Sequence, residues 1–301
     1  MTDPLLEGTV VQNHGAHFDV LVDGRTVRCL LRGKLKKDER RSVAPVAAGD
    51  RVKIAMLEPG RGVIEHVLPR GSGLSRKAAG SAPLQHTLVA NVDQAVIVFA
   101  AAEPRADLFL LDRFLAAVIA SGLDPVVCIN KTDLVDGGPP HARFAVYRQC
   151  GFRVLFTSAE NGGGLPDLKA ALEDRRSVFC GPSGVGKSSL LNAIAPGLQL
   201  RTAEVGDVTH KGRHATTSIK LLELPFGGWV ADTPGLRQFS FWEGKPEHVA
   251  VAFPDLQPYL GRCKYSNCTH GDEPGCALRS ALSSGHIERR RLRSYLQIGG
   301  R

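Results

Sequence analysis

The octapeptide Gly181-Pro-Ser-Gly-Val-Gly-Lys-Ser188 constrains this chain more than any other feature. It satisfies the pattern G-x-x-x-x-G-K-[ST], follows the apolar run Ser177-Val-Phe-Cys180 and opens a helical pattern at Gly186. Strand, glycine loop and helix in that order demand a parallel sheet covered by helices, and the neighbouring pattern agrees. Strands are predicted over 94–100, 125–129, 152–156 and 177–180. Between them lie a helix with Leu108, Leu111, Leu115 and Val118 on one face, ending at Gly122, and another starting at Pro166. In the loop, glycines let backbone N–H groups close around phosphate oxygens, and the helix N-terminus adds its dipole. Lys187 is expected to reach the β and γ phosphates and Ser188 to ligate Mg²⁺. The candidate contact set is Gly181, Pro182, Ser183, Gly184, Val185, Gly186, Lys187, Ser188 and Ser189.

A phosphate cradle does not name the base. Asn130-Lys-Thr-Asp133 follows the strand over 125–129 and resembles the N-K-x-D element of GTPases. By that resemblance Asp133 accepts from guanine N1 and N2, Asn130 supports the loop, and Lys131 packs over the ring, with Thr132 between them. Thr157-Ser-Ala159 resembles the accompanying loop at guanine O6, which makes Ser158 and Ala159 contact candidates. Asp232-Thr-Pro-Gly235 follows a strand over 228–231 and resembles the D-x-x-G element: Asp232 would hold Mg²⁺ through water, and the Gly235 amide would sense the γ-phosphate. The loop at 212–218, Gly-Arg-His-Ala-Thr-Thr-Ser, has the threonines of a first switch, and either Thr216 or Thr217 completes the Mg²⁺ shell, with Thr217 slightly preferred. Leu236 stands where Ras-type GTPases place a water-orienting glutamine. His214 is therefore the candidate water-positioning catalytic residue, against the alternative of an ordinary exposed loop histidine.

The order of these elements is permuted. Ordinary GTPases run P-loop, switch, D-x-x-G, N-K-x-D and S-A loop; here the last two come first. Nucleotide contacts sit at the carboxyl ends of neighbouring strands, so the site survives a moved chain break.

Flanking segments carry different signals. Residues 7–67 show short apolar runs separated by Asp23-Gly24 and Gly49-Asp50 turns, which predicts a five-stranded barrel of the OB type, an oligonucleotide binder or a docking module. The Gly/Ser-rich stretch 69–83 reads as loop or linker. Net charge is +8. Residues 1–70 hold 12 basic against 9 acidic side chains and residues 241–301 hold 9 against 6, so nucleic-acid contact is expected outside the centre. Residues 1–8 lack the pattern of a signal peptide and no run reaches membrane-spanning length, which predicts a cytoplasmic protein with reduced thiols. Of seven cysteines, Cys29, Cys128, Cys150 and Cys180 lie among apolar residues and are expected in cores. Cys263, Cys268, His270 and Cys276 suit tetrahedral, structural Zn²⁺ rather than disulfides. The segment 287–296 is predicted as a helix with Ile287, Leu292 and Leu296 inward. Arg289, Arg290, Arg291 and Arg293 then point outward, toward RNA phosphates or solvent alone.

Together these residues resemble the circularly permuted, ribosome small-subunit-dependent GTPase family, RsgA. The resemblance rests on the barrel, the Gly212-Arg-His214 switch, the stretch Asp232-Thr-Pro-Gly-Leu236 and the cysteine spacing. It implies hydrolysis of GTP to GDP, late maturation of the small ribosomal subunit, binding to its rRNA and stimulation by it, without membrane association. His214 matches the family's proposed catalytic histidine. The family's switch usually reads Gly-Arg-His-Thr-Thr-Thr; Ala215 and Ser218 depart from it and leave the magnesium threonine open by one position. A large-subunit assembly GTPase and a nonenzymatic, GTP-dependent RNA-binding scaffold are the rivals. The expected architecture is multidomain: an OB-fold β-barrel over 1–70, a linker over 71–83, a permuted α/β P-loop GTPase domain over 84–240 and a small zinc-binding α-helical domain over 241–301. No coiled-coil heptads occur, and a monomer is expected.

Overall fold

The structure is a computed structural model that describes residues 4–33, 46–77, 85–137, 139–198, 200, 219–232 and 249–299. Strands β1 (Leu6–Asn13), β2 (Phe18–Val22), β3 (Arg25–Leu31), β4 (Arg51–Glu58) and β5 (Arg61–Val67) close a barrel in the order β1-β2-β3-β5-β4, with β4 returning to β1. Only β3 and β5 pair in parallel. Alternation drives closure: Val27, Cys29 and Leu31 of β3 point inward while Arg28 and Leu30 point out. The interior gathers Val10, Phe18, Val20, Val52, Ile54 and Ile64. At about 1.5–3 kcal/mol per buried aliphatic or aromatic side chain, this cluster is the barrel's main source of stability.

The stretch 71–83, expected as a linker, is in part a strand: β6 (Gly73–Lys77) pairs antiparallel with β7 (Gln85–Ala90). Leu74 explains the difference, because it is fully buried in the same core as Val89 and Ala48. One apolar residue among glycines, serines and cations leaves no periodic signal. Asp50, fully buried, accepts bidentate hydrogen bonds from Arg70 at 2.7 and 2.8 Å, and Arg70 also donates to Thr87 Oγ1 at 2.9 Å. This clamp joins barrel to ribbon, and the hydrogen bond that Arg70 donates to Asp50 pushes the Arg70 pKa up.

The central unit follows the sequence pattern closely. Strand β8 (Gln94–Ala100) leads through α1 (Leu108–Ala120) to β9 (Asp124–Asn130). Helix α2 (Ala145–Gln149), β10 (Arg153–Phe156), α3 (Leu165–Leu172), β11 (Arg176–Cys180) and α4 (Lys187–Ile194) continue the alternation. Strands β12 (Lys220–Glu223) and β13 (Trp229–Asp232) complete a sheet ordered β10-β9-β8-β11-β13-β12, parallel except at β12. Every residue of β8 is buried, as a central parallel strand covered on both faces requires. Gln12 of β1 pairs with Lys220 of β12, so barrel and central sheet are continuous.

Helix α6 (Arg289–Ile298) packs on α1, with its Arg290 and Arg291 over Tyr147 of α2, and α5 (Ala277–Ser283) packs against α6; Ile287, Leu292, Tyr295 and Phe253 share the core there. The expectation that all four arginines of α6 face outward is corrected. Arg291 is fully buried, with bonds to Asp112 Oδ1 (2.5 Å), Asp255 (2.7 and 3.1 Å) and Ala252 O (3.1 Å), and it stacks over Phe253 at 4.2 Å. Arg290 is half-buried and donates to Asp112 at 2.8 Å. Only Arg289 and Arg293 are exposed. A helical period places position 291 next to Leu292 on the inner face, and Asp112 and Asp255, distant in sequence, make burial of a guanidinium affordable. Among the described residues no helix is long and apolar enough to cross a membrane.

Candidate functional site

The loops after β9, β10 and β11 and the end of β13 all lie at the carboxyl edge of the sheet, where open α/β folds hold ligands. Gly181 has φ +136, and a Cβ there would stand 2.1 Å from Val98 O; at Gly186, φ +92, it would stand 2.3 Å from Asn130 Nδ2. Glycine is obligatory at both positions, the first against the neighbouring strand and the second against the 130–133 loop. Gly186 caps α4, so the first helical amides point into the loop. Lys187 Nζ donates to Gly181 O at 2.9 Å and Pro182 O at 2.5 Å, which holds its ammonium across the mouth of the loop. Ser183 and Gly184 are exposed, Val185 is buried, and Ser188 and Ser189 sit half-buried in the first turn of α4.

Asn130 links the two halves of the site. It is 1% exposed, donates from Nδ2 to Val185 O at 2.9 Å and accepts from Thr157 Oγ1 at 3.3 Å. The amide therefore ties the 130–133 segment to the phosphate loop. Thr132 Oγ1 donates to Thr157 O at 3.0 Å, and Ser158 Oγ donates to Asp133 Oδ1 at 2.5 Å. Asp133 is thereby aimed by the 157–159 loop, with half-buried Ala159 packed against the core below. Lys131 adopts a left-handed backbone, φ 59, and its Nζ donates to Glu103 O. The loop after β8 thus belongs to the site. Sequence reasoning missed it, because its contribution is a backbone carbonyl and leaves no residue-type signal.

Asp232 ends β13, next to β11. Its side chain, together with Gly235, His214, Thr216 and Thr217, lies outside the described residues. Burial pushes the thiols of Cys128 and Cys180 up to about 12 and those of Cys29 and Cys150 up to about 11, with nearby Asp19 and Asp255 adding to the last two. Cys29, Cys128 and Cys180 are core residues; Cys150 is half-buried.

A second cluster is built in the C-terminal unit. The donor atoms of Cys263, Cys268, His270 and Cys276 all lie within 4.8 Å of one another. Cys263 Sγ is 4.0 Å from Cys276 Sγ and 3.4 Å from His270 Nδ1, which is 3.6 Å from Cys276 Sγ. Tetrahedral zinc with Zn–S bonds of about 2.3 Å separates its sulfurs by about 3.8 Å, so three thiolates and an imidazole at these spacings fit that ion. The Ala277 amide donates to Cys263 Sγ at 3.4 Å, and the left-handed backbone of His270, φ 65, turns the imidazole inward.

The strand order, with the P-loop after β11 and the Asn130–Asp133 loop placed before it in the chain, defines a circularly permuted P-loop GTPase. Comparison with known proteins gives the family. The RsgA GTPase profile matches residues 67–242 and the RsgA N-terminal domain profile residues 7–64. The "Small ribosomal subunit biogenesis GTPase RsgA" of Moorella thermoacetica is 45% identical over 97% of this chain and 95% of its own, and that of Gemmatimonas aurantiaca 42% identical over the same shares. Two crystal structures superpose: YjeQ from Thermotoga maritima (TM-score 0.76, 33% identity, 99% of this chain and 98% of that one) and the circularly permuted GTPase YloQ (0.75, 30%, 99% and 95%). The chain belongs to the RsgA family and is a GTP-hydrolysing enzyme.

Proposed function

We propose that this GTPase acts in late maturation of the small ribosomal subunit, contacts its rRNA and is stimulated by it, as a cytoplasmic monomer. The names of its relatives support the choice of subunit. The observation that carries the coupling is the position of Lys220 at the start of β12. Its strand partners are Asp232 on one side and Gln12 of the barrel on the other. The switch segment 212–218 ends at Ser218, two residues before Lys220, so a change at the γ-phosphate has a short path along the chain to the strand that docks the barrel.

In this reaction the P-loop amides and Lys187 hold the β and γ phosphates, Asp133 selects guanine, and His214 orients the attacking water. Ser188, Asp232 and either Thr216 or Thr217 would hold Mg²⁺, which neutralises charge developing on the phosphates. The Gly235 amide senses the γ-phosphate. Cys263, Cys268, His270 and Cys276 would hold one structural Zn²⁺, and with four protein ligands that site does no chemistry. Exposed Arg289 and Arg293, with the basic barrel, are the proposed rRNA contacts.

Steady-state GTP hydrolysis by the full chain alone, with small subunits and with large subunits tests this. Small subunits alone should stimulate; stimulation by large subunits only would overturn the assignment, and equal rates in all three would remove the coupling. His214→Ala should lower turnover by about 10²–10⁴-fold with GTP affinity intact; loss of both together would refute its role.

A further inference from the structure

A second cluster of metal-binding donors lies far in sequence from both the nucleotide loops and the C-terminal cysteines. The β1–β2 hairpin reads Asn13-His-Gly-Ala-His-Phe-Asp19. Its ends are held firmly. His14 N donates to His17 O at 2.9 Å, Gly15 N donates to Asn13 Oδ1 at 2.7 Å, and Asn13 Nδ2 donates to Val46 O at 3.1 Å. Phe18, one residue from His17, is anchored in the barrel interior. The loop therefore presents its side chains from a fixed frame, as a preorganised site requires.

Three of those side chains converge. One donor atom each from His14, His17 and Asp19 lies within 4.8 Å of the other two. His14 Nε2 is 2.9 Å from Asp19 Oδ2, and the imidazoles stack with centroids 4.5 Å apart and planes 15° from parallel. Around one ion with bonds of about 2.1 Å, neighbouring ligand atoms lie about 3.0–3.4 Å apart, so the His14–Asp19 edge is already set and a rotation of His17 completes the face. We propose that His14, His17 and Asp19 form a binding site for a divalent first-row transition cation, with Zn²⁺ as its probe. Two imidazoles and one carboxylate on one face leave further positions for water or an incoming ligand.

The surroundings favour an exchangeable site over a structural one. The side chains of His14 and Asp19 are 29% and 19% exposed, so an ion could enter from solvent. Arg28 Nε lies 3.7 Å from Asp19 Oδ1, but its side chain is 64% exposed and can swing away when the carboxylate binds a cation. His14 lies two residues after Gln12, the barrel residue paired with Lys220 of β12. An ion here would brace the barrel where it meets the central sheet.

The test uses the full chain titrated with Co²⁺ and then Zn²⁺, with metal content counted after buffer exchange. Thiolate ligation by the C-terminal cluster gives intense charge-transfer absorption. The hairpin site, with only nitrogen and oxygen donors, gives weak d–d bands as a separate equivalent. The wild-type chain should take up both signatures, and the double variant His14→Ala/His17→Ala should lose the weak one alone. His14→Gln, which keeps a hydrogen-bond donor toward Asp19 and so guards against misfolding, should also lose it. Retention of the weak-band equivalent in both variants, or its absence from the wild type while GTP still binds, would overturn the proposal. Failure of the cysteine site alone would remove the charge-transfer bands and leave this result readable.

Discussion

Arg291→Met isolates the buried ion network that docks the C-terminal helices. Methionine keeps an apolar stem over Phe253 but removes a guanidinium that is fully buried and contacts Asp112, Asp255 and Ala252 O. Removing one partner of a buried pair costs about 3–5 kcal/mol, because the remaining charge stays desolvated. Asp112 still has Arg290 Nη1 and the Tyr147 hydroxyl, each at 2.8 Å, whereas Asp255 loses two charged donors and is 14% exposed. The lower end, about 3 kcal/mol, is therefore expected, equivalent to about 150-fold in the opening equilibrium of α6. Global unfolding of a multidomain chain is a poor readout, so the assay is hydrogen exchange at the α6 amides, with GTP binding as the control that the central unit is folded. Asp255→Asn in the same background should restore part of the loss, because it removes the stranded carboxylate, and the non-additivity should be about 0.5–3 kcal/mol. An acceleration under about threefold, or strict additivity, would refute the claim that this network fastens α6 to α1 and α2.

Other predictions follow from the same geometry. Asn130→Ala should weaken GTP binding by about 5–150-fold, the equivalent of about 1–3 kcal/mol for stranding the Val185 carbonyl and the Thr157 hydroxyl, as read by isothermal titration; unchanged affinity would break the proposed link between the two loops. Gly186→Ala should abolish binding, because φ +92 strains any side chain at this position and its Cβ would meet Asn130 Nδ2 at 2.3 Å; unchanged affinity would refute the requirement for glycine. Asp133→Asn should move preference from guanine toward xanthine nucleotides, measured by competition, since its acceptor oxygen is replaced in part by a donor. Cys128 and Cys180 should resist thiol reagents at pH 8 while chelation exposes Cys263, Cys268 and Cys276. Because their folded-state values are raised to about 12, these two buried thiols contribute stability that is present below the ordinary thiol range and lost as pH rises toward 12. A flat stability between pH 9 and 11.5 would contradict this.

What the sequence determined by itself was local chemistry. The P-loop announces itself because phosphate binding needs glycines and a lysine at fixed spacing beside a strand and a helix, and short-range geometry suffices for that. The permuted order of motifs and the cysteine spacing were legible for the same reason. Tertiary structure alone decided what depends on residues far apart in the chain. Leu74 turned part of a Gly/Ser-rich stretch into a strand by reaching a core built from Ala48 and Val89. Arg291 turned inward because Asp112 and Asp255, 179 and 36 positions away, meet at its head group. The Glu103 carbonyl joined the site through Lys131 with no side-chain signature at all. A pattern of residue types encodes what a residue can do within one turn or one hairpin; which partner satisfies it across the fold is a property of packing.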